Sequence, residues 1–309
     1  MTRQTVLTNP NTSSDAQFRA WGSAISAAIT AAGLAKTADT GQIDWATVTK
    51  PATATTVAGY EIRKFGDSLA TSRPVYLKLS YGLGGSTGIN AAGITAISIG
   101  TGSDGAGNLT GQIQALTSFF TASSSNNPDN VNSTSYVTHG EGFLTLVVNR
   151  AGYGGGVGSG MVLVLDRTRD SAGAPTTEGL YIAVARASAT LVFVSAYTMN
   201  YVSGVNQGPI GPVAAFPDLA SFSTASEVYV FPHLAFLPAI RNVLAAVTYN
   251  NADITAATTF TSTVLGATPH TYLALGATAG NAGNNQSTSG ANSAALNEGN
   301  ACLAVLWED

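Results

Sequence analysis

Apolar residues recur at helical spacing near the start of the chain and at alternate positions further on. This pattern predicts one amphipathic helix followed by a strand-rich body. Ser14-x-x-Gln17 has the form of a capping box, in which a hydroxyl and an amide satisfy backbone N–H groups at a helix start. Phe18, Trp21, Ile25, Ala28, Ile29 and Ala32 then share one face, opposite Arg19, Ser23, Ser26 and Thr30, and Gly33 supplies the stop, placing the helix over 15–33. Two uses of that face are open. The helix packs on its own domain's sheet, or it serves as an arm whose Phe18, Trp21, Ile25 and Ile29 dock on a neighbouring subunit.

After Pro51 the period falls to two. Val75, Leu77, Leu79 and Tyr81 alternate with Tyr76, Lys78 and Ser80, as in a half-buried strand. Ile97 and Ile99, Leu144 to Val148 and Met161 to Leu165 continue the theme, while Tyr181–Val184 and Leu191–Val194 are apolar on both faces. Further strands are predicted over 227–231, 243–249, 260–265, 271–275 and 302–307, the last placing the C-terminal run Leu303 to Trp307 in a sheet. A second helix is predicted over Gln112–Phe120. Turn clusters at Gly102–Gly105 and Gly152–Gly156 separate these runs, and Gly280–Gly290 reads as an exposed loop. The fold class is mostly β, an antiparallel β-sandwich or barrel behind a short N-terminal amphipathic helix. Three regions follow: an N-terminal arm over 1–50, a β domain over 51–205, and a second β domain or continuation of the same sandwich over 206–309. The Pro/Gly-rich stretch Gly204–Pro212 marks the division.

Composition narrows the function. Only 10% of the 309 residues are charged, against roughly 25% in ordinary soluble domains, while 45% are hydrophobic. The surface is therefore rich in amides and hydroxyls instead of ions. A net charge of −4, with 13 scattered Lys and Arg, gives no footprint for a phosphate backbone, so no nucleic-acid partner is expected. The N-terminus lacks the pattern of a signal peptide, and the uncharged stretch 254–297 is too polar to insert in a membrane. The lone Cys302 excludes an intrachain disulfide and a multi-cysteine zinc site, which fits folding in a cytosol.

Several motifs invite chemistry and have a plainer reading beside it. Gly84-Gly85-Ser86-Thr87-Gly88 matches a hydrolase elbow, but a helix after the serine is missing from the pattern, so a flexible turn is expected. His139, His233 and His270 are the histidines available for base or metal work. His139 and Glu141 could present two ligands on one side of a strand, but no third is adjacent, and His233, within Phe231–Phe236, reads as a buried, hydrogen-bonded imidazole. Gly152–Gly160 lacks the spacing and lysine of a phosphate loop. Asp166, Asp170 and Glu178 would suit a glycosidase if they faced a cleft, yet Arg167 and Arg169 interleave them, as in a hairpin tip tied by cross-strand ion pairs. Asp104–Asn108 and Asn126–Asn130 offer oxygens to Ca²⁺ without an EF-hand pattern. No catalytic residue, metal or cofactor is assigned.

The segment Phe18-Arg-Ala-Trp-Gly-Ser-Ala-Ile-Ser-Ala-Ala-Ile, followed by Gly33-Leu, Thr37-Ala-Asp-Thr-Gly-Gln-Ile-Asp-Trp45 and Ala58-Gly-Tyr-Glu-Ile62, resembles structural proteins of tailed bacteriophages and prophages. Pro74 to Tyr81, the Gly-rich turn at 100–108 and the hairpin from Asp166 to Glu178 fit the same likeness, which covers much of the first 190 residues. The resemblance implies a non-enzymatic virion protein made in the host bacterial cytoplasm. It implies a tail-associated subunit at a tail tip, baseplate or fibre attachment. Capsid decoration or a head fibre is the nearest alternative, and a glycan-binding or glycan-cleaving tail protein a further one. The implied partners are copies of itself in a ring or trimer, other virion proteins and a host surface glycan.

Overall fold

The computed structural model describes residues 3–9, 14–53, 56–84, 91–111, 114–117, 133–149, 161–186, 193–200, 206–210, 228–232, 244–248, 259–262, 270–274 and 300–308. The described residues are mostly β with one N-terminal helix. Among them the strands form three separate antiparallel sheets and a two-stranded ribbon, and none of these sheets closes into a barrel, which corrects that half of the expected fold class.

The first strand, β1 (Arg3–Asn9), precedes the helix α1 (Asp15–Ala31). Ser14 caps the helix, its hydroxyl accepting from the Gln17 N–H at 3.3 Å and donating to Gln17 Oε1 at 3.0 Å. At the other end Gly33 adopts φ +83°, the left-handed conformation that ends a helix at least cost in a glycine.

The chain then enters a five-stranded sheet built from β2 (Leu34–Lys36), β3 (Val57–Phe65), β4 (Tyr76–Gly84), β5 (Ala91–Gly100) and β8 (Gln114–Thr117), hydrogen-bonded in that order. The ribbon of β6 (Gly102–Ser103) and β7 (Leu109–Thr110) lies between β5 and β8 in the chain. The helix expected over Gln112–Phe120 is therefore a strand at Gln114–Thr117. Leu116 stands opposite Ile97 and Gln114 opposite Ile99, so pairing to an existing apolar strand overrides local helical preference.

A seven-stranded sheet takes β1, β9 (Ser133–Gly140), β10 (Phe143–Asn149), β11 (Met161–Arg169), β12 (Pro175–Arg186), β13 (Phe193–Asn200) and β14 (Asn206–Ile210) in that order. The last of these lies inside Gly204–Pro212, where a linker was expected. Strand β14 is an edge strand, so Pro209 lacks a ladder donor only where it is tolerated, and its register against β13 shifts.

The C-terminal sheet consists of β15 (Val228–Pro232), β16 (Leu244–Thr248), β17 (Thr259–Ser262), β18 (His270–Ala274) and β19 (Asn300–Glu308). These match the predicted strands within a few residues. The final strand β19 is central, between β16 and β18.

One apolar cluster joins α1 to the first two sheets. Phe18, Ile25 and Ile29 from the helix meet Leu77, Leu79, Ile97 and Ile99 from the five-stranded sheet and Val137, Leu144, Leu146, Leu163 and Leu165 from the seven-stranded one, all fully buried. Each such side chain contributes roughly 1.5–3 kcal/mol of apolar burial. Strand β1 pairs with β9 and β2 with β3, so the first 50 residues share both sheets and the core with the body.

Candidate functional site

Strand β3 places Glu61, Arg63 and Phe65 on the face that α1 covers. In a purely apolar sheet that face would carry three hydrophobic residues. Here the first two are ionised and fully buried, and they pair at 2.8 Å. Glu61 Oε1 accepts from Ser26 Oγ at 2.9 Å and Trp45 Nε1 at 3.2 Å, with Lys36 Nζ at 3.4 Å. Glu61 Oε2 accepts from the Tyr81 hydroxyl at 2.8 Å and from the Arg63 guanidinium. Arg63 also donates to Thr30 Oγ1 at 2.7 Å and to the Leu34 carbonyl at 3.1 Å.

Burial alone would raise the pKa of Glu61. The adjacent Arg63 charge and the hydrogen bonds from Arg63, Tyr81 and Ser26 outweigh it and hold the carboxyl below its usual range. Burial, then the Glu61 charge, push Tyr81 well above the ordinary phenol value. A carboxylate held ionised at neutral pH with both oxygens occupied, beside a phenol that keeps its proton, is poorly set up for proton transfer. It fastens α1 to the sheet. Around it Trp45 meets Tyr81 edge-on at 5.0 Å between centroids and Phe18 at 5.6 Å.

The loop from Thr37 to Trp45 is spent on internal contacts in the same way. Gln42 donates to the carbonyls of Thr37 at 2.8 Å and Asp39 at 3.1 Å, and its Oε1 accepts from the Ile62 N–H at 2.8 Å. Asp39 accepts from the hydroxyls of Thr37 and Ser103 and from the Gly107 N–H. Burial opposes ionisation of Asp39, but the Ser103, Thr37 and Gly107 bonds prevail and lower its pKa. Tyr60 donates to the Thr40 carbonyl at 2.7 Å.

The other sequence candidates disperse. Asp104 closes its own turn, its oxygens accepting from the N–H groups of Ala106 and Asn108 and from Asn108 Nδ2, which leaves the geometry of an Asx turn in place of a Ca²⁺ loop. Asp166 is fully buried and pairs with Arg169 at 3.3 Å, three residues along the same strand. Asp170 accepts from the Ala172 and Ala174 N–H groups, both at 2.9 Å, and Glu178 is exposed. The three carboxylates thus do different things, and the glycosidase arrangement is not assembled. Beside that local pair at the hairpin, Arg167 makes a long-range pair with Asp67, which ties the seven-stranded sheet to the loop after β3.

Glu141 accepts from the Ser68 N–H at 2.9 Å, and hydrogen bonding from the Ser68 side chain, then its backbone, with the charges of Arg167 and Arg169, outweighs burial and lowers its pKa. His139 sits on β9 close to Gly33, and among the described residues no group of three or more His, Cys, Asp or Glu could hold a metal. Ser86, His233, Asn126–Asn130, Gly152–Gly160 and Gly280–Gly290 lie outside the described residues, as do the side chains of His270 and Cys302.

Phe18, Trp21, Ile25 and Ile29 are buried in the chain's own core, none more than 5% exposed. As placed, they pack on the chain's own sheets and present no surface to a neighbour. Sequence reasoning missed Glu61, Arg63 and Asp67. The available signal was the inversion in Val57–Phe65, where charged residues take the positions that alternation assigns to the core. Comparison with family models, with curated proteins and with solved structures finds no match to this chain.

Proposed function

We propose that the chain is a non-enzymatic structural subunit of a bacteriophage virion, associated with the tail and assembling into symmetric oligomers with other virion proteins. The observation that carries this reading is the fate of the segment through which the chain resembles phage structural proteins. Asp39, Gln42 and Trp45 are all turned inward as braces, as a scaffold requires and a catalytic loop does not. The low charge of 10% supports it, since neutral, amide- and hydroxyl-rich surfaces associate in many copies without strong repulsion.

The body is best read as a sandwich in which the C-terminal sheet lies on the seven-stranded one and continues the same domain. The edge-on contact of Trp307 with Tyr136, 6.3 Å between centroids, favours that arrangement.

Immunogold electron microscopy of virions, with antibody against the recombinant chain, tests the function. Label confined to the tail is the expected result. Label over the head moves the assignment to capsid decoration. No label, together with absence from the particle's mass spectrum, removes the virion reading.

A further inference from the structure

Six strands end the three larger sheets: β1 and β14, β2 and β8, β15 and β17. Five have features that discourage another strand from adding. Strand β2 has 3 residues, and β8 and β17 have 4 each. Strand β14 contains Pro209 and a shifted register, and the 5-residue β15 ends at Pro232. Strand β1 has none of these. It runs for 7 residues without proline, lysine or acid, and its ladder to β9 holds one unbroken register from Arg3 opposite His139 to Asn9 opposite Ser133. No strand among the described residues pairs with its other side. A long regular edge of this kind is a template for strand addition.

The sequence of β1 suits a second copy of itself. Two identical strands meet antiparallel across a twofold axis. With Val6 on that axis every residue of the strand has an opposite: Arg3 with Asn9, Gln4 with Thr8, Thr5 with Leu7, and Val6 with its own copy. Any other centre shortens the ladder. This register also sets the strand's one charged residue, Arg3, against an amide and keeps the two arginines at opposite ends, avoiding the like-charge pairing that opposes strand association.

We infer that β1 pairs with β1 of a second copy, joining two seven-stranded sheets into one continuous sheet. The inference deepens the assembly part of the proposed function by naming its contact.

The test uses the full chain with Cys302→Ser, so that an introduced thiol reacts alone. Val6→Cys places two thiols directly opposite each other and is expected to give a disulfide-linked dimer under mild oxidation. Leu7→Cys, whose twin lies diagonally across the ladder, is expected to link at least about 10-fold more slowly, because a disulfide requires Cα atoms within about 7 Å. Light scattering of the chain without introduced cysteine should give twice the monomer mass. A monomer at tens of micromolar, or equal linking at both positions, overturns the inference. Virions that carry the chain without selective linking at residue 6 would sink this contact alone. Selective linking in a chain absent from virions would sink the virion role alone.

Discussion

Arg167 and Asp67 stand 100 residues apart in sequence and form a buried, two-pronged ion pair, with Arg167 Nη2 3.0 Å from Asp67 Oδ1 and Nε on the other oxygen. The same guanidinium donates to the Arg73 carbonyl at 2.8 Å. Two sheets that share an apolar core are thereby also registered at their margin. Asp67→Ala leaves a buried cation without its partner and should cost about 3–5 kcal/mol, because removing one member of a buried pair exposes the desolvation penalty of the other. Urea unfolding at pH 7 measures it. A loss below about 1 kcal/mol would place the pair among solvent-exposed bridges instead.

Glu61 makes folding sensitive to acid. Its folded pKa lies below the ordinary glutamate value of 4.5, so the stability it contributes is fully present above that value and fades as pH falls through the folded pKa. Asp39 and Glu141 are shifted in the same direction and add to the slope. The unfolding midpoint should therefore decline on the acid side of the normal carboxylate range. Glu61→Gln should be less stable at neutral pH and show a shallower acid decline. Parallel curves for the two proteins would contradict this assignment.

Gly22 lies on α1 where a Cβ would overlap the Trp45 ring. Gly22→Ala raises helix propensity by about 1 kcal/mol, yet overpacking of this kind typically costs about 1–3 kcal/mol. Because Trp45 is pinned by its hydrogen bond to Glu61, it has little room to yield, and the sign should be destabilising. A rise in the thermal midpoint would show that the ring moves aside.

Trp21→Ala combined with Ile25→Ala should abolish folding. Each truncation of a buried side chain of this size costs about 2–5 kcal/mol, which together approaches the whole stability of a typical domain. Far-ultraviolet circular dichroism decides. A folded double variant that fails to enter particles would instead restore the docking role for this face.

The helix and most strands were legible because their signals are local. A capping residue, a 3.6 period and a glycine stop define α1, and alternation in Val75–Tyr81 defines β4. The strands that escaped reading lacked such signals. In β3, Glu61 and Arg63 occupy inward positions, and only the contacts from Ser26, Thr30 and Tyr81 make that possible. Strand β1 is mostly polar, and it is specified by a partner more than a hundred residues away. The fastening around Glu61 has the same origin, since its members come from α1, β2, β3, β4 and the loop that ends at Trp45. No spacing rule links them.

The pairing of residue 3 with residue 139 also sets a timetable. During synthesis at about 5–20 residues per second, β1 and the apolar face of α1 wait on the order of ten seconds for β9 and β10 to emerge. In the C-terminal sheet the span from β15 to its central strand β19 is shorter, so its first strand waits less. The hazard to this chain therefore lies in the nascent polypeptide, where an unmatched strand and a bare helical face coexist. Slower growth at low temperature, or chaperone supply, should raise the yield of folded protein more than any stabilising substitution on its finished surface.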